Sequence, residues 1–357
     1  MSTEPVGTRR LRGVLNGSAR AAVVATTLPA VLLALGYQWE VAGSWWLELL
    51  QYMPWALYLL PALAAFMASF LLRPIWRLAA ALGLGLVLTV VMGLALNRGD
   101  AGSGRVRFMT YNIKAYLAEH RPGAFDLLAQ EVARHDPDIL VMQDAGKLTQ
   151  LRHLQHDLAA SVFAGRSVFA HGQYIVVSRT PLRDCRVGDL SLPGGGYDYV
   201  HCTVTVHGVE LDVVTAHLVS PRQGLAATRR DPAEGLDDWE QNFNDRLAQS
   251  RRLAADLAHS RRPLIVAGDL NAPETSPVIR TLLNQGLRDA FSAGGWGYGY
   301  THGHSLKARS AFAGSFLRID HILVSPDIGV ADSFAGGALA SEHRPVIADL
   351  LLQRELR

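Results

Sequence analysis

Carboxylates, amides and imidazoles recur at the ends of apolar, strand-like runs in this chain of 357 residues. Asn112 closes the run Val106–Asn112, Gln143 and Asp144 follow Ile139–Met142, and His217 follows Val213–Ala216. Asp269 and Asn271 follow Leu264–Gly268, Asp320 and His321 stand at the start of Ile319–Val324, and Glu342 and His343 precede Val346–Leu352. Any one of these alone reads as a cap or turn residue. Gathered at several strand ends, they read as a site for a hard divalent cation and a phosphate. Magnesium and similar ions take oxygen ligands, typically one or two carboxylates with water and substrate phosphate completing the shell.

The elements that must position these residues begin at Val106. Apolar, β-rich runs at Val106–Asn112, Ile139–Gln143, Tyr174–Ser178, Tyr199–Val206, Val209–Ala216, Leu264–Gly268, Ile319–Val324 and Val346–Leu352 read as strands. Phe125–His135 reads as a helix ended by Asp136-Pro137, and Phe243–His259 as a second helix with Phe243, Leu247, Ala254 and Leu257 on one face. Strands this apolar need both faces covered, which predicts an α/β domain of two sheets packed face to face with helices outside.

The motifs Thr110-Tyr111-Asn112, Gln143-Asp144, Thr215-Ala216-His217-Leu218, Gly268-Asp269-Leu270-Asn271, Arg318-Ile319-Asp320-His321 and Ser341-Glu342-His343-Arg344-Pro345-Val346 follow one another in that order. In order and content they resemble the endonuclease/exonuclease/phosphatase superfamily, over about Val106 to Leu352. The resemblance implies a four-layer α/β sandwich and metal-assisted hydrolysis of a phosphate ester with Mg2+ or Mn2+. It implies His343 as the general base on water or the hydrogen-bond donor to the phosphoryl group, with Asp320 holding its tautomer. Asp269 would orient the nucleophile. Asn112, Asn271 and His217 would donate to phosphate oxygens. Asp144 and Glu342, with Asn112, would supply metal oxygens.

Two positions depart from the family's pattern. Asp144 stands where the family usually has Glu, and Glu342 where it has Asp. One side chain is a methylene shorter and the other a methylene longer. The expectation is compensation, with the cation shifted toward Asp144 and Glu342 reaching further; the alternative is a site drifting toward weak catalysis. Among other candidates, Lys114 could touch a phosphate but reads more simply as an exposed lysine, and the segment bearing Arg222, Arg229, Arg230, Asp237 and Asp238 reads as a loop, over the site or simply solvated. Arg246 and Gln249 read as structural. His302 and His304 lack the further neighbours a metal pair needs, and Trp296, Tyr298 and Tyr300 form a substrate-facing rim or a packed loop.

Ahead of this domain the chain changes character. Between Ala21 and Leu96 the only charged residues are Glu40, Glu48, Arg73 and Arg77, and three apolar stretches, Ala21–Tyr37, Trp55–Leu72 and Leu78–Leu96, lie among them. Each approaches the roughly 20 residues that cross a bilayer core as helix. Trp39, Trp45, Trp46, Trp55 and Trp76 flank them as an interfacial belt would. Arg9, Arg10, Arg12 and Arg20 precede the first stretch, Arg73 and Arg77 lie between the second and third, and Gln38–Pro54 has neither Lys nor Arg. The positive-inside rule then places the N-terminus in the cytoplasm and everything after the third crossing outside it.

The predicted organisation is a basic cytoplasmic segment over 1–20, three transmembrane helices over 21–96, a Gly-rich linker over 97–105 and the catalytic domain over 106–357. Spans followed by such a domain resemble bacterial envelope members of the superfamily, including teicoplanin-resistance-type proteins, which implies a bacterial plasma membrane protein. The two cysteines, Cys185 and Cys202, flank the turn Leu192-Pro193-Gly194-Gly195-Gly196; they face each other if the turn centres between Pro193 and Gly194, and are otherwise free buried thiols. An extracytoplasmic site would permit the bridge.

The net charge of +2 gives no pull toward nucleic acid, and no long basic segment with interleaved aromatics is present. The function read from this is a membrane-anchored, metal-dependent phosphoesterase acting on an envelope or lipid-linked phosphate ester. A nuclease of the same superfamily is the alternative, and a catalytically weak phosphate-binding module a second one.

Overall fold

An apolar run with few charges must satisfy its backbone within itself, and the described residues up to Val91 do so mostly as helices. The computed structural model describes residues 6–38, 45–146, 148, 162–193, 195–231, 234–304, 306 and 314–354, in two units, Met1–Leu94 and Ala95–Arg357. In the first unit α1 spans Val6–Gln38, α2 Trp45–Gln51, α3 Ala56–Ala68 and α4 Pro74–Leu86, the last continued by a wider turn at Val87–Val91.

Two of these helices, Arg10–Gln38 and Pro74–Val91, are long and apolar enough to cross a membrane. A third crossing exists only if Trp45–Gln51 and Ala56–Leu71, bent by 76° at their junction, act as one span. The straight helix expected over Trp55–Leu72 is therefore one arm of a bent pair, with Pro54 in the break, where it cannot continue a helix. The basic segment expected to stand apart is, from Val6 on, the start of α1. Trp39 and Glu40 lie outside the described residues. Leu32, Leu60, Leu78 and Leu82 keep more than half of their surface exposed.

Among the described residues the second unit has fourteen strands: β1 (Ala95–Leu96), β2 (Gly102–Asn112), β3 (Ile139–Gln143), β4 (Ser167–His171), β5 (Tyr174–Ser178), β6 (Leu182–Asp189), β7 (Asp198–Val206), β8 (Val209–Ala216), β9 (Leu264–Asp269), β10 (Arg288–Asp289), β11 (Trp296–Gly297), β12 (Asp320–Val324), β13 (Gly329–Ala335) and β14 (Val346–Arg354). Its helices are α5 (Ala115–Ala118), α6 (Ala124–His135), α7 (Arg222–Arg230), α8 (Gly235–Leu257), α9 (Pro277–Leu283) and α10 (Ala290–Gly294). Two six-stranded mixed sheets form, ordered β10-β12-β9-β8-β7-β6 and β13-β14-β2-β3-β5-β4.

Alternation along each strand divides its side chains between two cores. Phe108, Ile139 and Val141 of one sheet meet Val200, Val213, Ile265 and Ile322 of the other in a fully buried cluster. Met109, Tyr111 and Leu140 point the opposite way, onto Leu128 and Val132 of α6. The α/β fold of two sheets flanked by helices is as the sequence predicts.

Two expectations change here. Residues 97–105 are not a free linker. Asn97 donates from its backbone to Gly295 and from its side chain to Ser292, Asp100 pairs with Arg288, and β2 already begins at Gly102. The segment with Arg222, Arg229 and Arg230 is not a loop but the helix α7, packed on α8, whose first turn carries Asp237 and Asp238.

Cys185 on β6 and Cys202 on β7 have their sulfurs 2.06 Å apart, beside a β-bulge between Arg183 and Arg186. Closing a loop of 17 residues should stabilise the unit by about 3 kcal/mol. Alkylation of the denatured protein should therefore add mass only after reduction. Reduction should also lower the urea midpoint of the second unit; two alkyl groups added without reductant would overturn the bridge.

Candidate active site

Strand direction brings distant residues to one rim. β2 and β3 are parallel with Asn112 opposite Gln143, and β8 and β9 are parallel, so each pair ends on the same side. β12 runs antiparallel to β9 with Asp320 directly opposite Asp269. β14 runs antiparallel to β2 with Val346 opposite Thr110, which returns Glu342 and His343 to the edge that Asn112 leaves. Gln143 ties the sheets together there: its amide donates to Thr110 Oγ1 at 3.1 Å and to Thr215 Oγ1 at 2.9 Å.

His343 and Asp320 form the centre. Nδ1 of His343 lies 2.9 and 3.2 Å from the two carboxylate oxygens of Asp320, so the ring donates there and Nε2 is left as the acceptor, 3.7 Å from Oδ2 of Asp269. Asp269 also accepts from Asn112 Nδ2 at 2.9 Å and from the Asn271 backbone at 3.1 Å, and lies 3.5 Å from His217 Nε2. Burial disfavours the charged forms. It pushes Asp320 up to about 6 and His343 down to about 3, and raises Asp269, on which the nearby Asp320 charge acts in the same direction. At neutral pH the pair is an ionised Asp320 accepting from a neutral His343, the state in which Nε2 can take a proton.

The surroundings hold this geometry. The His302 ring packs on His343 with centroids 4.3 Å apart, and its Nδ1 bonds the Glu342 carbonyl. The Thr301 hydroxyl accepts from the Asp320 backbone, and Ser341 Oγ donates to the Asn112 carbonyl while accepting from His343 N. His217 Nδ1 lies 2.7 Å from the Gln173 side-chain oxygen, and the Tyr174 hydroxyl donates to the Asp198 carbonyl at 2.8 Å while accepting from His217 N. Lys114, Asp144 and Asn271 all sit in left-handed backbone, which concentrates strain of about 1–3 kcal/mol each at the rim.

The structure thus brings together Asn112, His217, Asp269, Asp320 and His343. Asn271, expected as a phosphate donor, gives one amide hydrogen to the Leu218 carbonyl at 2.8 Å, and Arg246 donates to its backbone carbonyl, so it also braces the loop. Gln249, accepting from Val219 N, does the same for the segment after His217. Lys114 is a correction, since it is 8% exposed, with Nζ 4.0 Å from Glu342 Oε2. His321 turns away to Asp289 and the Ala272 carbonyl, and His304 bonds Ser341 and Ser315. Thr301, His302, Ser341 and Gln173 support the centre, a role that the sequence does not mark. They stand on connecting segments where no periodicity reports what a side chain will face.

Among the described residues, Asp269, Asp320 and His343 are the group whose ligand atoms all lie within 4.8 Å of one another. Both oxygens of Asp320 lie within 3.2 Å of His343 Nδ1, which makes that part an acid–base pair. The carboxylates left partly open are Asp144, 3.7 Å from His217 Nδ1, and Glu342, between Lys114 and Arg222. Asp144 and Glu342, both open to water, together with the buried Asn112 Oδ1, which accepts from Lys114 N at 3.1 Å, are oxygen donors of the kind taken by a hydrated hard cation that keeps part of its own shell. Such an ion would polarise a phosphoryl group.

A double-sheet α/β sandwich with a carboxylate–imidazole rim is the form of a phosphate-ester hydrolase. The Endonuclease/Exonuclease/phosphatase family matches residues 109–343, and the chain belongs to that family, whose members act on phosphate esters. The chain is similar in structure to an endonuclease/exonuclease/phosphatase from Bacteroides vulgatus, with TM-score 0.52, 19% identity, and 70% of this chain and 99% of that one covered. It is also similar to one from Beutenbergia cavernae DSM 12333 (TM-score 0.49, 20% identity, 70% and 72% covered) and to a 3'-5' exonuclease from Neisseria meningitidis (0.48, 21%, 69% and 99%). No curated protein matches the chain.

Two outcomes are expected. The acid limb of kcat/KM should centre near pH 6, activity falling below it as Asp320 protonates and ceases to accept from His343. Asp320→Asn should remove that limb and cost about 10²–10⁴ in rate; an unchanged profile would refute the pairing. Asp144→Glu and Glu342→Asp should each lower activity and together restore part of it, a coupling of about 0.5–3 kcal/mol; single swaps that lose nothing end the compensation idea.

Proposed function

We propose that this chain is a membrane-anchored phosphoesterase that uses a bound magnesium or manganese ion to hydrolyse a phosphate ester of an envelope or lipid-linked substrate. One observation carries the reading: Asn112, His217, Asp269, Asp320 and His343 come from five separate strand ends and meet within hydrogen-bonding or ion-pairing reach. Neutral His343 would accept a proton from water at Nε2. Asn112 and His217 would meet the phosphoryl oxygens, and Lys114 would add positive charge where negative charge grows. The ion, held by Asp144, Glu342 and Asn112, would supply Lewis acidity.

Anchoring rests on the apolar helices and on leucines that remain exposed on them, a surface suited to lipid. Were the bent pair a crossing, three spans would put the catalytic unit outside the cytoplasm, on our reading that of a bacterial plasma membrane, with the basic turn at Arg73 and Arg77 inside. With two spans it would return to the N-terminal side. The parity of crossings therefore decides which phosphate esters it meets.

The test is phosphate release by the detergent-solubilised protein from polyprenyl phosphates, phospholipids, inositol phosphates and DNA. Turnover should require magnesium or manganese, disappear with chelator, and fall at least about 10³-fold in His343→Ala. Intact spheroplasts should hydrolyse the same added esters, which do not cross membranes. Chelator-resistant turnover would sink the metal reading, DNA as the best substrate would favour a nuclease, and activity only after lysis would reverse the topology.

A further inference from the structure

Among the described residues of the second unit, three large apolar side chains keep more than half of their surface exposed: Leu96 at 56%, Trp296 at 72% and Leu339 at 77%. Scattered singly, such residues are ordinary on a soluble protein. These three are not scattered. Leu96 and Trp296 are Cα partners in the antiparallel pair β1–β11, and directly opposed residues send their side chains to the same face. Leu339 stands four residues ahead of His343, just past Gly336, whose carbonyl accepts from Arg344. Arg344 also donates to the carbonyl of Tyr300, four residues beyond Trp296.

Chain length ties this ribbon to both a candidate span and the reaction centre. Leu96 follows Val91, the end of the apolar helix Pro74–Val91, by five residues, a reach of at most about 18 Å. Trp296 precedes His302 by six residues, at most about 22 Å, and the His302 ring packs on that of His343. Between them Tyr298 and Tyr300 stack with centroids 5.3 Å apart. A tryptophan and a leucine on one face, with exposed Arg98 two residues beyond Leu96, are the side chains that favour the boundary between headgroups and acyl chains. A protein partner fits less well. A stable protein interface takes about 800 Å² from each side, and one aromatic side chain buries about 150–250 Å². Two strands of two residues each do not offer such an area. A ribbon this short gains little stability alone in water, and lipid would cover its apolar face.

We propose that the β1–β11 ribbon docks the catalytic unit on the bilayer, with Trp296 and Leu96 at the boundary between phospholipid headgroups and acyl chains, and so holds the reaction centre close over the membrane surface. The inference rests on the membrane-anchored reading for the bilayer itself, and its test needs no turnover. That test uses the full chain in phospholipid nanodiscs. Trp296 is largely exposed, so Trp296→Phe leaves the fold intact, and the emission that it removes reports that ring alone among the seven tryptophans.

With lipids brominated near the glycerol end of their acyl chains, that emission should lose at least about half of its intensity, and acrylamide in the buffer should quench it weakly. Leu96→Asp, which puts a charge on the docking face, should lower the bromine quenching at least about twofold. Quenching by acrylamide and not by bromine would place the ring in water and overturn the proposal. Shielding from both would assign the face to a second copy or another protein and overturn it as well. Bromine quenching unchanged by Leu96→Asp would remove the ribbon as the docking element. An alkaline carbonate wash of vesicles holding the same chain tests the anchor separately. Release by the wash would sink the anchored reading and this one with it, whereas a retained chain whose Trp296 stays in water would sink this one alone.

Discussion

Two carboxylates face each other in register across β9 and β12, and nearly everything at the rim answers to that fact. Asp269 and Asp320 are both buried, where like charges cannot both be ionised without compensation. The compensation comes from every side: the His343 imidazole donates to Asp320, the Asn112 amide to Asp269, and His217 approaches Asp269 from β8. Each of these groups is itself held by another sheet strand or connecting segment. Ser341 fixes the Asn112 carbonyl, Thr301 fixes the Asp320 backbone, and His302 covers the His343 ring. A buried, mutually satisfied polar network tolerates few alternatives, because any member left unpaired carries the full cost of its burial.

The same burial produces the chemistry. A solvated aspartate beside a histidine would leave both near their ordinary values. Here the low-dielectric rim raises Asp320 and lowers His343 toward states in which the ring is neutral and oriented at working pH. Around this dry centre lies a wetter border of Asp144, Glu342 and Arg222, side chains still open to water. The division suits a reaction that needs a poised base inside and a hydrated ion and an ester outside.

The first unit is governed by a different balance. Its helices bury little against one another and leave large leucines outward, so the stability that a soluble bundle would draw from an apolar core is not available to them in water. Pro54 breaks the middle segment, and that one break turns a simple count of spans into a question of topology.

The amino-acid sequence determined the inner strands, the two-sheet architecture and the set of residues at the rim, because buried strands write long apolar runs and the polar residues that interrupt them stand out. Asn112, His217, Asp269, Asp320 and His343 were legible for that reason. Within the two six-stranded sheets, the strands that left no such mark are β4, β6, β10 and β13, which are their four outer strands; the short pair β1 and β11 left none either. With one side open, they carry polar residues, such as Arg183, Asp184 and Arg186 on β6, and lose the apolar signature. Tertiary structure alone decided that Lys114 turns inward through a left-handed backbone, that His302 lies on His343, that Asn271 serves its own loop, and that residues 97–105 are docked and not free. The reason is common to all four. Each depends on partners some 40 to 230 residues away in the chain, such as Glu342 for Lys114 and Ser292 for Asn97, and local spacing carries no record of a contact that only strand pairing creates.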